Sequence, residues 1–500
     1  MHQTSSRLLR MTEDDRPFVR DFKDLFATLV VSLPLIPHRV RFSKYEHTFT
    51  TEEAITNLGS LKFSQSNRMP DPKDPGRIVT TTTTTTFSMA KEMARSVCAR
   101  FLEARYIESV DGKTDFNSKG SVWQLTPKGM YILGRFCQRN GIQMRHVNDL
   151  LESPRNVMHL VILEREAATD RLNHDRTTVE VLFRRFAGQE GPNYKSNVTS
   201  SQTDSSSDSL HDYASGLVGV KMARSRKVMD REIPYTFTGK AAHDWLMDCT
   251  TVVDNRECLE LATLFIHYDL IIPVIEDRGY PRSATIPHRF QPTKSAVYAI
   301  SAKGEKSAGW TNSPKASTEG SEGFISKTQN GTLRDSNTNR MTVIIRDPAL
   351  RLLFREFLRD THCEENLSFY LDVRDFLATY EIAKSAVTAP KLEIIRETLA
   401  QAYSLYNAFL APGSPCELNI DHSLRNALAG RMTMAIGEDE EMVKSLDEVA
   451  RLFAQAQNSV FKLMASDSVP KFTREPKYSA VLHERNFDYV LSNLSSTSIG

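Results

Sequence analysis

The 500-residue chain holds three tryptophans, six cysteines and no long apolar run. No stretch approaches the roughly 18–20 consecutive apolar residues that span a bilayer, so no membrane-crossing helix is expected. The cysteines (Cys98, Cys137, Cys249, Cys258, Cys363 and Cys416) are scattered, with no C-x-x-C pair and no zinc spacing. They read as buried free thiols of a reducing compartment, which leaves the sequon Asn197-Val198-Thr199 without meaning. The opening MHQTSSRLLRMTEDDR lacks the apolar core of a secretory signal, position 2 is not Gly, and the closing SSTSIG is not a prenylation box. A surplus of either charge is missing too: 63 Lys and Arg against 62 Asp and Glu leave +1, whereas a chain devoted to nucleic acid usually carries a basic excess. There is no P-loop, G-x-G-x-x-G, H-E-x-x-H or nucleophile elbow. The 13 histidines form no ligand spacing, and His243 and His267 read as surface or interface residues. No metal, no cofactor and no catalytic centre of the chain's own are expected.

What is there is ordinary globular composition, 40% hydrophobic and 25% charged, over a length that suggests about three domains. Two segments read as linkers, about 188–212 with its SSQTDSSSDS and about 306–339, rich in Gly, Ser, Thr and Asn. Neither buries enough apolar surface to offset its ordering entropy. They separate a block at 15–148, followed by a helical connector at 149–187, from blocks at 213–305 and 340–492. Within the first block, about 66–87 contains MPDPKDPGRIVTTTTTTTF and reads as a loop or insertion. In the connector, Val179, Leu182, Phe183 and Phe186 form one apolar stripe after a capping Asp175, read as packing between domains or as a partner-binding helix.

The first two blocks repeat one another in order. TFTTEEAITNL at Thr48 matches TFTGKAAHDWL at Thr236, ARFLEARYIESV matches TLFIHYDLIIPV, and KGSVWQLTPKG at Lys119 matches KSAVYAISAKG at Lys294. Each copy predicts a Thr-capped amphipathic helix and then a second helix, Met89, Met93, Val97 and Phe101 in one copy and Leu261, Leu264, Phe265 and Tyr268 in the other. Strands follow at Tyr106–Val110 and Val122–Leu125, and at Leu270–Ile275 and Ala296–Ile300. Helices closed by a hairpin make a winged helix, and these motifs resemble the DEP family. The first copy matches less well, lacking the Gly and Trp of TFTGKAAHDWL. DEP domains resemble DNA-binding winged helices in shape but typically dock on membranes or receptor tails, and the near-neutral charge favours the second use. The run Lys221, Arg224, Arg226 and Lys227 enters the second copy. It reads as a solvated basic strip or as a contact with anionic lipid or a receptor.

From Met341 the pattern is helical throughout. Leu350, Leu353, Phe354 and Phe357 keep one face, as do Phe369, Val373, Phe376, Leu377 and Tyr380, then Leu392, Ile395, Leu399, Ala402 and Tyr406, and then Val449, Leu452, Phe453, Ala456, Val460, Leu463 and Met464. Periodicity alone stops at a helical bundle. The connecting residues go further: DPALRLLFREFLRDTHCEENLSFYLDVRDF, LNID at Leu418 and FKLMASDSVPKF, in that order, resemble the RGS family. With the upstream repeat, the chain resembles fungal RGS regulators with tandem DEP domains, of the FlbA type and the yeast pheromone-desensitisation type. The fold expected is mainly α, with two winged-helix-like (α+β) DEP domains followed by an all-α RGS bundle.

The resemblance implies a GTPase-activating protein for a heterotrimeric G-protein α subunit, cytoplasmic and recruited peripherally to the plasma membrane, which desensitises receptor signalling. It carries Glu365 and Asn366 to a pair contacting the α subunit's switches, and Asn419 to the loop asparagine that reaches its catalytic glutamine. Leu463, Asp467 and Ser468 go to the floor and wall of a pocket for a switch threonine. Taken singly, Glu365 and Asn366 could merely cap a helix at Leu367, Asn419 could be a turn residue, Asp467 could serve only Lys471 four residues on, and Leu463 could be core. Lys471 stands where the family commonly has Arg, Cys363 where it has a small hydroxyl residue, and Tyr370 where it has a core Trp. The stretch Leu424–Glu441 is longer than in compact members, and its acidic GEDEEM run suits a solvated surface or the first turn of a helix. These departures bear on partner selectivity. A non-catalysing scaffold is the alternative. A winged-helix DNA binder is a third reading, opposed by the non-basic helix ECLELATLFIHYDL.

Overall fold

A computed structural model describes residues 9–71, 74–118, 120–194, 213, 218–281, 289–310, 330–385, 391–414, 416–434, 439–484 and 487. The chain divides into two compact units, one of residues 1–63, 85–135 and 143–320, the other of residues 64–84, 136–142 and 321–500.

Helix α1 (Val19–Ser32) opens the first unit, burying Phe22, Leu25, Phe26, Leu29 and Val30 at i, i+3, i+4, i+7 and i+8. A two-residue turn joins antiparallel strands β1 (His38–Val40) and β2 (Ser43–Tyr45), and β3 (Thr48–Thr50) follows. Thr50 caps α2 (Thr51–Gly59) reciprocally: its hydroxyl accepts from Glu53 N–H, and the Glu53 carboxylate accepts from Thr50 N–H at 2.7 Å. Such a cap is worth about 1 kcal/mol. The stretch expected to be a loop is instead a pair of strands, β4 (Leu61–Asp71) and β5 (Asp74–Phe87). Threonine is β-branched, so its run favours extended backbone over a coil. Helix α3 (Lys91–Glu103) leads to β6 (Ile107–Ser109) and β7 (Val122–Leu125), which close a sheet of order β3-β7-β6. Helices α4 (Pro127–Asn140) and α5 (Arg145–Leu151) follow.

The connector expected to be helical from 149 to 187 is not so throughout. Residues 152–175 run as an irregular strap, with Met158, Leu160, Val161 and Leu163 buried at a near-alternating spacing rather than a helical one. Helix α6 (Arg176–Ala187), capped by Asp175, then begins the second copy instead of lying between domains. Strands β8 (Asn193–Tyr194), β9 (Lys221–Val228) and β10 (Arg231–Thr238) come next, then α7 (Gly239–Cys249), α8 (Asn255–His267), β11 (Ile271–Ile275), β12 (Val297–Ile300) and α9 (Ala302–Ala308). The sheet order is β11-β12-β10-β9-β8. Phe183 and Phe186 of α6 meet Phe265 of α8, each with ring centroids 5.1 Å apart, and Phe186 meets Trp245 of α7 edge-on at 5.4 Å. In the first copy, Phe22 and Phe26 of α1 meet Phe101 of α3 at 4.8 and 5.2 Å.

The internal repeat therefore extends beyond its matched segments. Val179, Leu182, Phe183, Phe186 and Ala187 keep the same spacing as Phe22, Leu25, Phe26, Leu29 and Val30. Matched non-glycine residues also adopt the same left-handed backbone: His47 and Tyr235 (φ 54° and 51°), and Arg105 and Asp269 (φ 60° and 57°). The Lys-Gly pairs Lys128-Gly129 and Lys303-Gly304 share one close approach. A Cβ at Gly129 would lie 2.0 Å from the Tyr106 carbonyl oxygen, and one at Gly304 2.2 Å from that of Leu270. Gly129→Ala or Gly304→Ala is expected to destabilise the fold by about 3 kcal/mol, since the obstacle is backbone. Thermal unfolding checks this, and a loss below about 1 kcal/mol would mean that the helix simply moves aside.

The two copies share buried ionic contacts. Arg165 in the strap grips the Glu257 carboxylate of α8 with both terminal nitrogens, at 2.5 and 2.7 Å, and Arg16 pairs with Asp170 at 2.7 Å. Arg105 lies 3.0 Å from Asp244 and 3.6 Å from Asp248. The fully buried Lys128 donates to the carbonyls of Met247 and Val252 at 2.5 and 2.6 Å. Burial pushes its amine down to about 7, with Asp248, Lys23, Arg105 and Cys249 facing it, and burial pushes the Asp248 carboxyl up to about 6. Because the Lys128 value is lower folded than unfolded, the unfolded chain binds the extra proton from about pH 7 to 10. The Lys128 contribution to stability should therefore rise with pH across that window, by at most about 1.4 kcal/mol per unit, and it shows most plainly below about pH 8.5, above which the buried thiols Cys98, Cys137, Cys249 and Cys258, all pushed up by burial, act with the opposite sign. Lys128→Met is expected to flatten that rise in melting temperature, and an unchanged slope would contradict the assignment.

From residue 330 on, every regular element described in the second unit is helical. Helix α10 (Asn330–Arg346) begins inside the segment expected to be a linker, whose residues 311–329 lie outside the described residues, as do 195–212 of the other linker. Then come α11 (Pro348–Asp360), α12 (Glu364–Ser385), α13 (Lys391–Leu405), a π-turn at Tyr406–Leu410, α14 (His422–Met434) and α15 (Asp439–Leu463). A second π-turn at Met464–Ser468, α16 (Val469–Arg474) and α17 (Pro476–Glu484) complete it. Helix α15 thus starts within the acidic run, whose Gly437 and Glu438 lie outside the described residues. Phe354 and Phe357 of α11 pack on Phe472 of α16, and Phe376 of α12 packs on Phe453 of α15. Cys98, Cys137, Cys249 and Cys258 are buried free thiols as expected, whereas Cys363 and Cys416 are only half-buried. No described helix is long and apolar enough to cross a membrane, and no cluster of three metal-liganding side chains occurs among the described residues.

Candidate functional site

Helix α12 starts at Glu364, three residues before the Leu367 start considered above, so Glu365 and Asn366 lie in its first turn. Sequence reasoning passed over Glu364 itself. It is buried, 3.5 Å from Arg355 and 3.4 Å from Arg359 of α11, and so ties the start of α12 to the preceding helix. The helical spacing of Arg355 and Arg359, with an acid just past the helix end, was the available signal. Asn366 is also largely buried; its amide donates to the Cys363 carbonyl at 3.3 Å and to the Glu365 carboxylate at 3.2 Å. Its geometry suits holding Glu365, which stays half-exposed.

Cys363 links this turn to the closing segment. Burial pushes its thiol up, a hydrogen bond with Thr361 opposes that, and the charges of Glu365, Asp467 and Lys471 all act on it. Those three residues, from α12, the second π-turn and α16, are thus near enough for their charges to reach one thiol. Lys471 and Asp467 form an exposed pair at 2.8 Å, worth at most about 1 kcal/mol, so Asp467 is not locked away. Ser468 is buried beside it. Leu463 is 42% exposed, against the expectation that it is partly core, while Val449, Leu452, Phe453, Ala456, Val460 and Met464 of the same stripe are buried. Leu463 is the last residue of α15 and stands at the edge of the stripe, whereas Met464, four residues after Val460 and eight after Ala456, stays in line with it and is buried.

Asn419 sits in the loop before α14. Leu418 and Ile420 on either side are buried, and Leu418 N–H donates to the Phe409 carbonyl of the first π-turn at 2.8 Å. Phe409 in turn meets Phe369 of α12 at 5.5 Å. Asn419 lies at the centre of a turn closed by Ile420 N–H donating to the Leu418 carbonyl at 3.2 Å, but its exposed side chain makes no hydrogen bond among the described residues and takes no part in capping the next helix. Asp421 has that role, accepting from the N–H groups of Ser423 and Leu424 at 2.9 and 3.2 Å. Tyr370 is half-buried, its ring tilted against that of Phe461 at 5.8 Å rather than central to the core. Both π-turns border the candidate residues, and neither is legible from a 3.6-residue period.

The basic run lies on β9. Lys221 begins the strand, Arg224 stacks over Tyr194 at 5.0 Å, and Arg226 and Lys227 face Ile233 and Glu232 across the ladder.

A winged-helix pair and an all-α bundle with this loop and closing turn define a signalling regulator, and comparison with known proteins agrees. The family model "Regulator of G protein signaling domain" matches residues 340–481, and the model "Domain found in Dishevelled, Egl-10, and Pleckstrin (DEP)" matches 219–300. The first copy is matched over residues 21–153 by "Fungal-differentiation regulator winged helix domain", so one DEP domain is identified rather than two. The chain belongs to the family of regulators of G-protein signalling. It is 63% identical over 502 residues to the developmental regulator flbA of Emericella nidulans, covering 100% of this chain and 68% of that protein. It is 28% identical over 478 residues to Regulator of G-protein signaling 1 of Schizosaccharomyces pombe, covering 94% and 92%. Mouse Regulator of G-protein signaling 7 shares 28% over 160 residues, 32% of this chain and 28% of that protein.

Proposed function

We propose that the chain accelerates GTP hydrolysis on a heterotrimeric G-protein α subunit by clamping its switch segments, with no catalytic centre of its own. The observation that carries this is a set of outward polar and apolar side chains on anchored backbone: Glu365 held by Asn366, Asn419 exposed between the buried Leu418 and Ile420, Asp467 in its exposed pair with Lys471, and the outward Leu463. An α subunit already holds its arginine and hydrolyses GTP at about 10⁻² s⁻¹. What it lacks is a fixed geometry, so binding the transition-state shape more tightly than the ground state is sufficient. In this reading Glu365, steadied by Asn366, accepts hydrogen bonds from switch backbone. Asn419 donates to and accepts from the glutamine that orients water. Leu463, Asp467 and Ser468 receive a switch side chain, and Lys471 orients Asp467 through their ion pair. The DEP domain brings the protein to a membrane or receptor tail, raising its concentration near the α subunit.

Single-turnover hydrolysis by a GTP-loaded α subunit, with and without the full chain, tests this. Binding without acceleration would identify a scaffold instead.

A further inference from the structure

Each copy of the repeat carries a hairpin just ahead of its TFT segment, and the two hairpins share one turn. Val40 pairs with Ser43 around Arg41-Phe42, and Val228 pairs with Arg231 around Met229-Asp230. The first turn residue is left-handed in both, Arg41 at φ 55° and Met229 at φ 54°, and each stands seven residues before the TFT threonine. Glycine or asparagine would fill that position at lower cost. Instead each turn holds a large apolar side chain out in solvent: Phe42 is fully exposed and Met229 is 92% exposed. Cations outnumber acids at both tips: Arg39, Arg41 and Lys44 against Glu46 around Phe42, and Arg224, Arg226, Lys227 and Arg231 against Asp230 and Glu232 around Met229. Lys44 pairs with Glu46, whereas Arg39 and Arg41 have no carboxylate partner among the described residues.

We propose that the two hairpin tips dock on an anionic lipid surface, Phe42 and Met229 entering the headgroup layer while the flanking cations meet lipid charge. For the β9–β10 hairpin this rests on the reading of the DEP domain as a targeting element. For the β1–β2 hairpin it is a new role for the first copy. Charge complementarity selects the occupant: an apolar point ringed by cations suits an interface that is apolar below and anionic above. A protein partner would need about 800 Å² of shaped surface, which a two-residue turn does not offer. A lipid layer buries a lone side chain without shape matching.

The test is flotation of the full chain with phosphatidylcholine vesicles, with and without phosphatidylserine, at low and high salt. Wild type should float with the phosphatidylserine vesicles alone, and salt should release it. Phe42→Ser and Met229→Ser should each weaken binding several-fold, and Arg39→Glu with Arg41→Glu roughly tenfold or more. All these side chains are exposed, so the melting temperatures should match wild type, and soluble GTPase acceleration should be unchanged whether or not the membrane claim holds. Equal flotation of wild type and variants, salt-resistant binding to neutral vesicles, or capture by an acidic peptide with no vesicle binding would each overturn the proposal.

Discussion

Replacing Asn419 by alanine is expected to reduce the acceleration of GTP hydrolysis about 10²-fold while leaving the fold as stable as before. The two halves of that expectation come from the same geometry. Leu418 and Ile420 anchor the loop on either side, and Asp421 caps the next helix. Asn419 is left pointing to solvent, with no hydrogen bond among the described residues to lose. A surface truncation of that kind changes stability by about 0.5 kcal/mol or less. Its effect on rate should be much larger, because one well-placed hydrogen-bonding group at a reacting centre is worth roughly 10²–10³. Single-turnover rates and a denaturant melt on the same preparation separate the two effects. Equal rates for variant and wild type would remove Asn419 from the site, and a parallel loss of stability would make its role structural.

Glu257→Ala should have the largest effect on stability, about 3–5 kcal/mol. The Glu257 carboxyl is held below its usual range: its burial opposes ionisation, but the hydrogen bonds and charge of Arg165, with help from Arg16, outweigh it. Removing the carboxylate strips the buried Arg165 of its two-pronged partner and leaves it only the Asp170 carboxylate, at 3.8 Å and already held by Arg16. That amount approaches the whole stability of a marginal domain. Adding Arg165→Met to Glu257→Leu should recover much of the loss, since the harm lies in the uncompensated charge rather than in the missing pair. Chemical unfolding checks both variants. A loss under about 1 kcal/mol for the single variant would mean that water reaches the pair.

Much of this fold was legible in the residues. The TFT caps, the apolar stripes of α11, α12 and α15, and the wings all follow from short-range rules of spacing and capping. What escaped was long-range or irregular. Helix α6 is separated from the rest of its copy by 188–212, so it read as a connector, although its stripe repeats that of α1. The left-handed positions at His47, Tyr235, Arg105 and Asp269 carry no glycine to flag them. Arg165 and Glu257 lie 92 residues apart, and only the packed strap brings them together.

The candidate site was legible in its membership more than in its geometry. Resemblance named Glu365, Asn419 and Asp467, but not that Asn366 turns inward to hold its neighbour or that Glu364 pins the helix start. Leu463 was ambiguous because it lies at the edge of the α15 stripe, where helical spacing alone does not separate core from surface.

The most direct measurement is the single-turnover rate of GTP hydrolysis by a heterotrimeric α subunit in the presence of the full chain. Clamping of the switches requires a rate well above the intrinsic value of about 10⁻² s⁻¹, lost on Asn419→Ala. An unchanged rate across several α subunits, with the chain folded and bound, would contradict it.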